Sequence, residues 1–186
     1  MESKKLVYGY LTPLLTVLFF VGLIAASFFG WWYSRGNLLD NLIADDIVKL
    51  SEVFTLIERE CKILSFEYQQ NPINFLNVKK DGFTGSEVGP MNLAYPKKWD
   101  GPYLFDNPTI QEKEFMVVHT NKGYFITPGN GVKLANGKII GTDIILDKDA
   151  DIAEMAQDPD MLIYQGRPLA AKIEMGTVTI RDVVPD

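Results

Sequence analysis

Cysteine and histidine are nearly missing from this chain, which has one of each, Cys61 and His119. A single cysteine excludes an intrachain disulfide, so the fold must be held by its core. Cys61 falls on an apolar helical stripe and reads as a small buried hydrophobe. His119 closes an apolar strand candidate, and neither a G-x-S-x-G nucleophile turn nor a phosphate-cradling glycine loop supplies the partners that catalysis would need. Basic residues are also the minority, 18 against 24 acidic ones. Beyond Gly9 the balance is 16 to 23, or about −7 by formal counting. Such a domain has no electrostatic reason to seek nucleic acid.

Two further absences shape the N-terminal half. No residue from Leu6 to Tyr33 is charged, a run of 28. As a helix this run would be roughly 42 Å long at about 1.5 Å per residue, more than the roughly 30 Å of a bilayer core. Tyr8 and Tyr10 lie near one end, and Trp31, Trp32 and Tyr33 at the other, where amphipathic rings favour the headgroup layer. Lys4 and Lys5 precede the run, whereas Arg35 follows it and is soon joined by Asp40, Asp45 and Asp46. The positive-inside rule therefore predicts a single-pass anchor with a cytoplasmic N-terminus and an exported C-terminal bulk. Ala25, Ala26 and Ser27 could serve a signal peptidase, but the apolar stretch is too long for an ordinary signal.

Proline is absent from Leu14 to Asn71. Over the same interval Leu39, Leu42, Ile43, Ile47, Leu50, Val53, Phe54, Ile57, Cys61 and Leu64 recur at three- and four-residue steps. That spacing predicts an amphipathic continuation of the anchor, ending at Asn71-Pro72. From Pro72 to Pro108, glycine and proline punctuate a stretch too apolar for a disordered linker, which reads as a structured loop. After it, Phe115 to His119 and Tyr124 to Thr127 flank a short hairpin connection. Val132 to Ala135 and Lys138 to Ile140 flank Asn136-Gly137, a strong two-residue hairpin signal. Ile144 to Leu146, Met161 to Gln165 and Lys172 to Val183 are further strand candidates, with a short helix over residues 149–157. The expected fold class is α+β: a long N-terminal helix, transmembrane and then amphipathic, packed on a small antiparallel sheet.

The one metal-like pattern is acidic. Asp147-x-Asp149-x-Asp151, with Asp143 upstream, matches the alternating oxygen ligands that open a calcium loop. Ile152 stands where an EF-hand requires glycine, and Asp158 replaces its bidentate glutamate, so an EF-hand is excluded. Another kind of calcium loop stays open beside the plainer reading of a solvated acidic face capping the short helix.

Two stretches carry a resemblance. Met1 to Gly9 is short, basic and ends in glycine, with aromatic Tyr10 and an apolar helix after it. Gly89-Pro90-Met91-Asn92-Leu93-Ala94-Tyr95-Pro96 is followed by Trp99-Asp100-Gly101-Pro102-Tyr103-Leu104. Together they resemble type IV pilin-like proteins, in particular the pseudopilins of type II secretion systems, in layout over residues 1–145. The resemblance implies a prepilin-type leader over 1–9, with cleavage between Gly9 and Tyr10 by a prepilin peptidase. It implies an assembly and membrane helix over 10–33, an amphipathic extension over 34–71, and an exported loop-plus-sheet domain over 72–186. Pro90, Trp99, Gly101, Pro102 and Tyr103 would form a packing loop. The site would be the bacterial inner membrane, and the partners the lipid bilayer and other pilin-like subunits. Leu14 stands where these helices usually carry glutamate, a departure that points away from a major subunit. The implied function is structural and non-catalytic, with a stand-alone membrane-anchored sensor or ligand-binding domain as the other reading.

Overall fold

A computed structural model describes residues 2–80 and 87–176, leaving aside the side chains of residues 2–12, 32–37 and 87. It divides into two compact units, Met1–Leu38 and Leu39–Asp186. One helix, α1 (Glu2–Cys61), runs through both. In the first unit, Pro13–Trp31 is a 19-residue stretch of mean hydropathy 2.2, long and apolar enough to cross a membrane. Its side chains are exposed all round, with Leu14, Phe19, Ile24 and Phe29 more than half accessible. A helix that is apolar on every side belongs in lipid or in a protein core.

In the second unit α1 becomes one-sided. Ile43, Ile47, Leu50, Phe54, Ile57 and Cys61 are buried at alternating steps of four and three, with Asp45, Lys49, Glu52 and Arg59 on the exposed side. The Phe54 ring meets Phe66 at 6.1 Å and Phe75 at 6.3 Å, both edge-on. Edge-on pairs of this kind add about 0.5–1.5 kcal/mol each beyond the burial of their area.

The helix stops at Cys61, ten residues before the expected Asn71. Lys62 takes the left-handed conformation, φ 56°. The Cys61 and Lys62 carbonyls accept the amides of Tyr95 and Ala94, each at 2.9 Å. Orphan acceptors at the helix end are thereby satisfied from another segment, which is what lets the chain turn away there. It continues as β1 (Ile63–Phe66) and β2 (Gln70–Pro72). The stripe misled at its last member: Leu64 is 46% exposed, while Ile63 and Phe66 point inward.

Within the glycine- and proline-rich stretch, β3 (Glu87–Val88) and β4 (Met91–Leu93) form a hairpin around Gly89-Pro90. Gly89 has φ 57°, and a Cβ there would sit 2.6 Å from that of Phe75. A 3-10 turn, Pro96–Lys98, leads to β5 (Thr109–Ile110) and β6 (Lys113–Glu114). The expected hairpin follows as β7 (Met116–Thr120) and β8 (Gly123–Thr127), closed by Asn121-Lys122. The remainder is α2 (Ile152–Met155), β9 (Ile163–Tyr164), β10 (Arg167–Pro168) and β11 (Ala171–Ile173). Strands β11-β8-β7-β2 make a four-stranded antiparallel sheet, and β1-β4-β3 a three-stranded one. The mixed helix and antiparallel-sheet class is thus present.

The strand pairs expected around Asn136-Gly137 shrink to one bridge, Lys133 to Ile139. The turn itself forms, with Leu134 and Lys138 bonded across it. Past it, the Asp143 carboxylate accepts the Ile139 amide, and Gly141 at φ 82° bends the chain away. Ile144 keeps only a bridge to Ile140. The helix expected over 149–157 is a single turn, and of the candidate Lys172 to Val183 only Lys172 and Ile173 lie in a strand, residues 177–183 being outside the described residues.

Candidate functional site

The sequence motif from Trp99 to Leu104 is anchored inward at Trp99 and Gly101. Trp99 is 1% exposed, and its indole N–H donates to the Val78 carbonyl at 3.0 Å. Its ring meets Tyr103 edge-on at 4.7 Å. The Leu76 carbonyl accepts the amides of Tyr103 and Leu104, and Lys80 donates its amide to the Gly101 carbonyl. Gly101 is needed for this approach: a Cβ there would lie 2.4 Å from the Val78 oxygen and 2.6 Å from the Trp99 nitrogen. Of the expected packing loop, Trp99 and Gly101 are consumed in packing against residues 76–80 of their own domain, Tyr103 is half-buried, and Pro102 is exposed. Phe105, just beyond, is 96% exposed. Pro90 sits in the β3–β4 turn, where its carbonyl accepts the Glu67 amide.

Beside this motif lies a cleft of about 590 Å³, lined by Leu56, Glu60, Lys80, Lys98, Asp100 and Tyr103. Its lining mixes charge signs. Lys80 pairs with Asp100 at 3.1 Å, and the Lys98 ammonium stands 4.7 Å from the Tyr95 ring centre. Cys61 is buried, and burial is the main cause that pushes its thiol up. A thiol held protonated in this way is a poor nucleophile. Burial likewise raises the Tyr103 phenol.

The other sequence candidates are dispersed. Gly9 and Tyr10 lie within α1, their side chains outside those described. His119 stacks on Tyr124, ring centres 4.3 Å apart at 15°. Each aspartate of the calcium pattern has a local task. Asp143 accepts the Ile139 amide, Asp147 the Asp149 amide, and Asp149 the Asn121 side-chain amide. Asp151 caps α2 through the Glu154 amide and pairs with Lys122. Among the described residues, no three or more His, Cys, Asp or Glu side chains converge in a way that could hold a metal ion. One oxygen of each of Asp143, Asp147 and Asp149 is engaged in these bonds.

Two carboxylates outside any sequence motif are buried. Glu58, 7% exposed, accepts the Ile63 amide with one oxygen and the Gly176 amide with the other. Asp40, 2% exposed, accepts the Ala135 amide at 3.0 Å. A signal for Asp40 existed: it stands three and seven residues before Ile43 and Ile47, on the buried stripe itself. Compared with protein-family models, curated proteins and solved structures, the chain gives no significant match.

Proposed function

We propose that this protein is a structural, non-catalytic subunit of a pseudopilin-like assembly, held in the bacterial inner membrane by the first half of α1. The observation that carries this reading is the exposed apolar stretch Pro13–Trp31 at the head of a helix whose later turns belong to a folded core. A helix of this kind can bury its apolar surface in lipid or against copies of itself, with no reaction required. Lys4 and Lys5 set the N-terminus on the cytoplasmic side, and a prepilin peptidase cuts between Gly9 and Tyr10. The amphipathic turns from Leu39 to Cys61 lie over the antiparallel sheets of the exported domain. Pro102 and Phe105, exposed beside the buried Trp99, offer the contact to a neighbouring subunit.

The test is the N-terminal sequence and intact mass of the protein extracted from its native membrane. A chain beginning at Tyr10 is expected. A chain still beginning at Met1 would remove the pilin-like reading and leave a plain anchor.

A second reading rests on the cleft at Lys80, Lys98 and Tyr103. Its volume is in the range of small-molecule sites, and its mixed charges would suit a polar ligand. Here the protein is a membrane-anchored extracytoplasmic ligand-binding domain. Saturable binding of a polar small molecule, abolished by Lys98→Glu, would favour this reading, provided the N-terminus proves unprocessed.

A further inference from the structure

Asp40 is an acid placed where the stripe of α1 calls for an apolar residue. Its Oδ2 accepts the Ala135 amide at 3.0 Å, joining α1 to a segment 95 residues away in sequence. Its Oδ1 has no hydrogen-bond partner among the described residues. Ile43 and Ala44 on α1 and Leu134 beside Ala135 are buried with it. A carboxylate with one donor in an apolar setting is poorly compensated when ionised, and much less costly when protonated.

We propose that Asp40 is a proton-controlled latch that holds the turn at Leu134–Lys138 to α1, closed when its carboxyl is protonated and loosened when it ionises.

Several of the charged side chains described on the elements around Asp40 have other partners. On α1, Asp45 pairs with Arg167 at 2.5 Å and Asp46 with Lys49 at 3.6 Å. On the segment carrying the turn, the Lys138 ammonium lies 4.0 Å from the Met161 sulfur, and Lys133 is exposed. Arg35, earlier on α1, belongs to the residues whose side chains are not described. Burial is the larger influence on Asp40 and raises its pKa, with the Ala135 amide opposing it. The sign follows. A group with a raised folded-state pKa contributes stability that is complete below its unfolded pKa and is lost as pH rises through the folded one. The latch therefore tightens in acid.

The decisive experiment is amide hydrogen exchange of the full chain in detergent micelles, from the ordinary carboxylate range up through neutral pH, corrected for intrinsic rates. Protection at Ala135 to Lys138 should fall several-fold as pH rises in the native chain. In Asp40→Asn, which keeps an acceptor for Ala135 but cannot ionise, it should stay level. An unchanged pH profile in Asp40→Asn overturns the proposal, and so does a profile abolished by Lys138→Gln, which would assign the titration elsewhere. Should Asp40→Asn fail to fold, the carboxyl-carbon titration of Asp40 in the native chain decides. A midpoint above the ordinary carboxylate range supports the latch, and one within or below that range overturns it.

Discussion

Glu58 accepts the amide of Gly176 at 2.8 Å, tying the last turns of α1 to a residue 118 positions further along the chain. Its second oxygen accepts the Ile63 amide at 2.7 Å, where β1 begins. Lys62 adds an ion pair at 3.7 Å. One side chain thus fixes the helix end, the first strand and the stretch after β11.

Glu58→Ala leaves both amides without their acceptor in a largely buried place. The expected loss is about 2–4 kcal/mol, since hydrogen bonds to charged acceptors are the costly ones to remove. Glu58→Gln keeps one acceptor and should lose less. Urea unfolding of the full chain in detergent checks both. A loss below about 0.5 kcal/mol for the alanine variant, the range of ordinary surface changes, would show that other groups fix the helix end.

The position of that helix end can be tested by a contrast within the stripe. Phe54 is buried against Phe66 and Phe75, so Phe54→Ala should cost about 3–5 kcal/mol. Leu64 follows the same sequence spacing but lies on β1, half exposed. Leu64→Ala should cost about 1 kcal/mol or less, as burial and not spacing sets the penalty. Comparable losses at the two positions would mean that the helix runs on past Cys61.

This contrast also marks how far the sequence could be read. The stripe through Cys61 was legible because a single buried face imposes the helical period. Its end was not, because the carbonyls there are taken by the distant amides of Ala94 and Tyr95, and nothing local marks Glu58, inside the helix, as the acceptor of the Ile63 amide. The β7–β8 hairpin was legible from two apolar runs and a glycine at the short connection between them. Asn136-Gly137 gave a correct turn but not its strands, because Asp143 and Gly141 redirect the chain just beyond. Trp99 to Leu104 drew attention as a motif, yet its inward orientation depends on backbone groups of Leu76 and Val78 that no local pattern reveals. Asp40 carries no apolar signature, so only its spacing along the stripe points to its burial.

Gly101→Ala should disrupt this motif more than any exposed change in the loop. The added Cβ would meet the Val78 carbonyl and the Trp99 nitrogen, both closer than 3 Å. Either the indole bond breaks or the backbone shifts, and overpacking of this kind costs about 1–3 kcal/mol before the lost hydrogen bond is counted. Phe105→Ala, at an exposed site, serves as the nearby control. With Trp31 and Trp32 changed to phenylalanine in both chains, the remaining tryptophan fluorescence reports Trp99 alone. A red shift is expected in Gly101→Ala and none in Phe105→Ala. Identical spectra would mean that the approach of Gly101 to Trp99 is not tight.

Asp151 supplies the pH dependence of opposite sign to Asp40. Its carboxyl is held below the ordinary range, chiefly by the hydrogen bond from Lys122, against slight burial and with help from the Glu154 amide. A depressed acid contributes stability that is present above its unfolded pKa and is lost as pH falls through the folded one. The group is exposed, so the effect on stability is screened and the titration is the sharper measurement. Lys122→Ala should move the Asp151 carboxyl-carbon midpoint upward toward the ordinary value while leaving α2 capped, because Oδ1 still accepts the Glu154 amide at 3.2 Å. The same variant should leave the midpoint of Asp40 where it was, since Lys122 is not among the groups that shift it. An Asp151 midpoint that does not move would assign its depression to the helix cap instead, and Asp151→Ala would then unwind α2 without any dependence on Lys122.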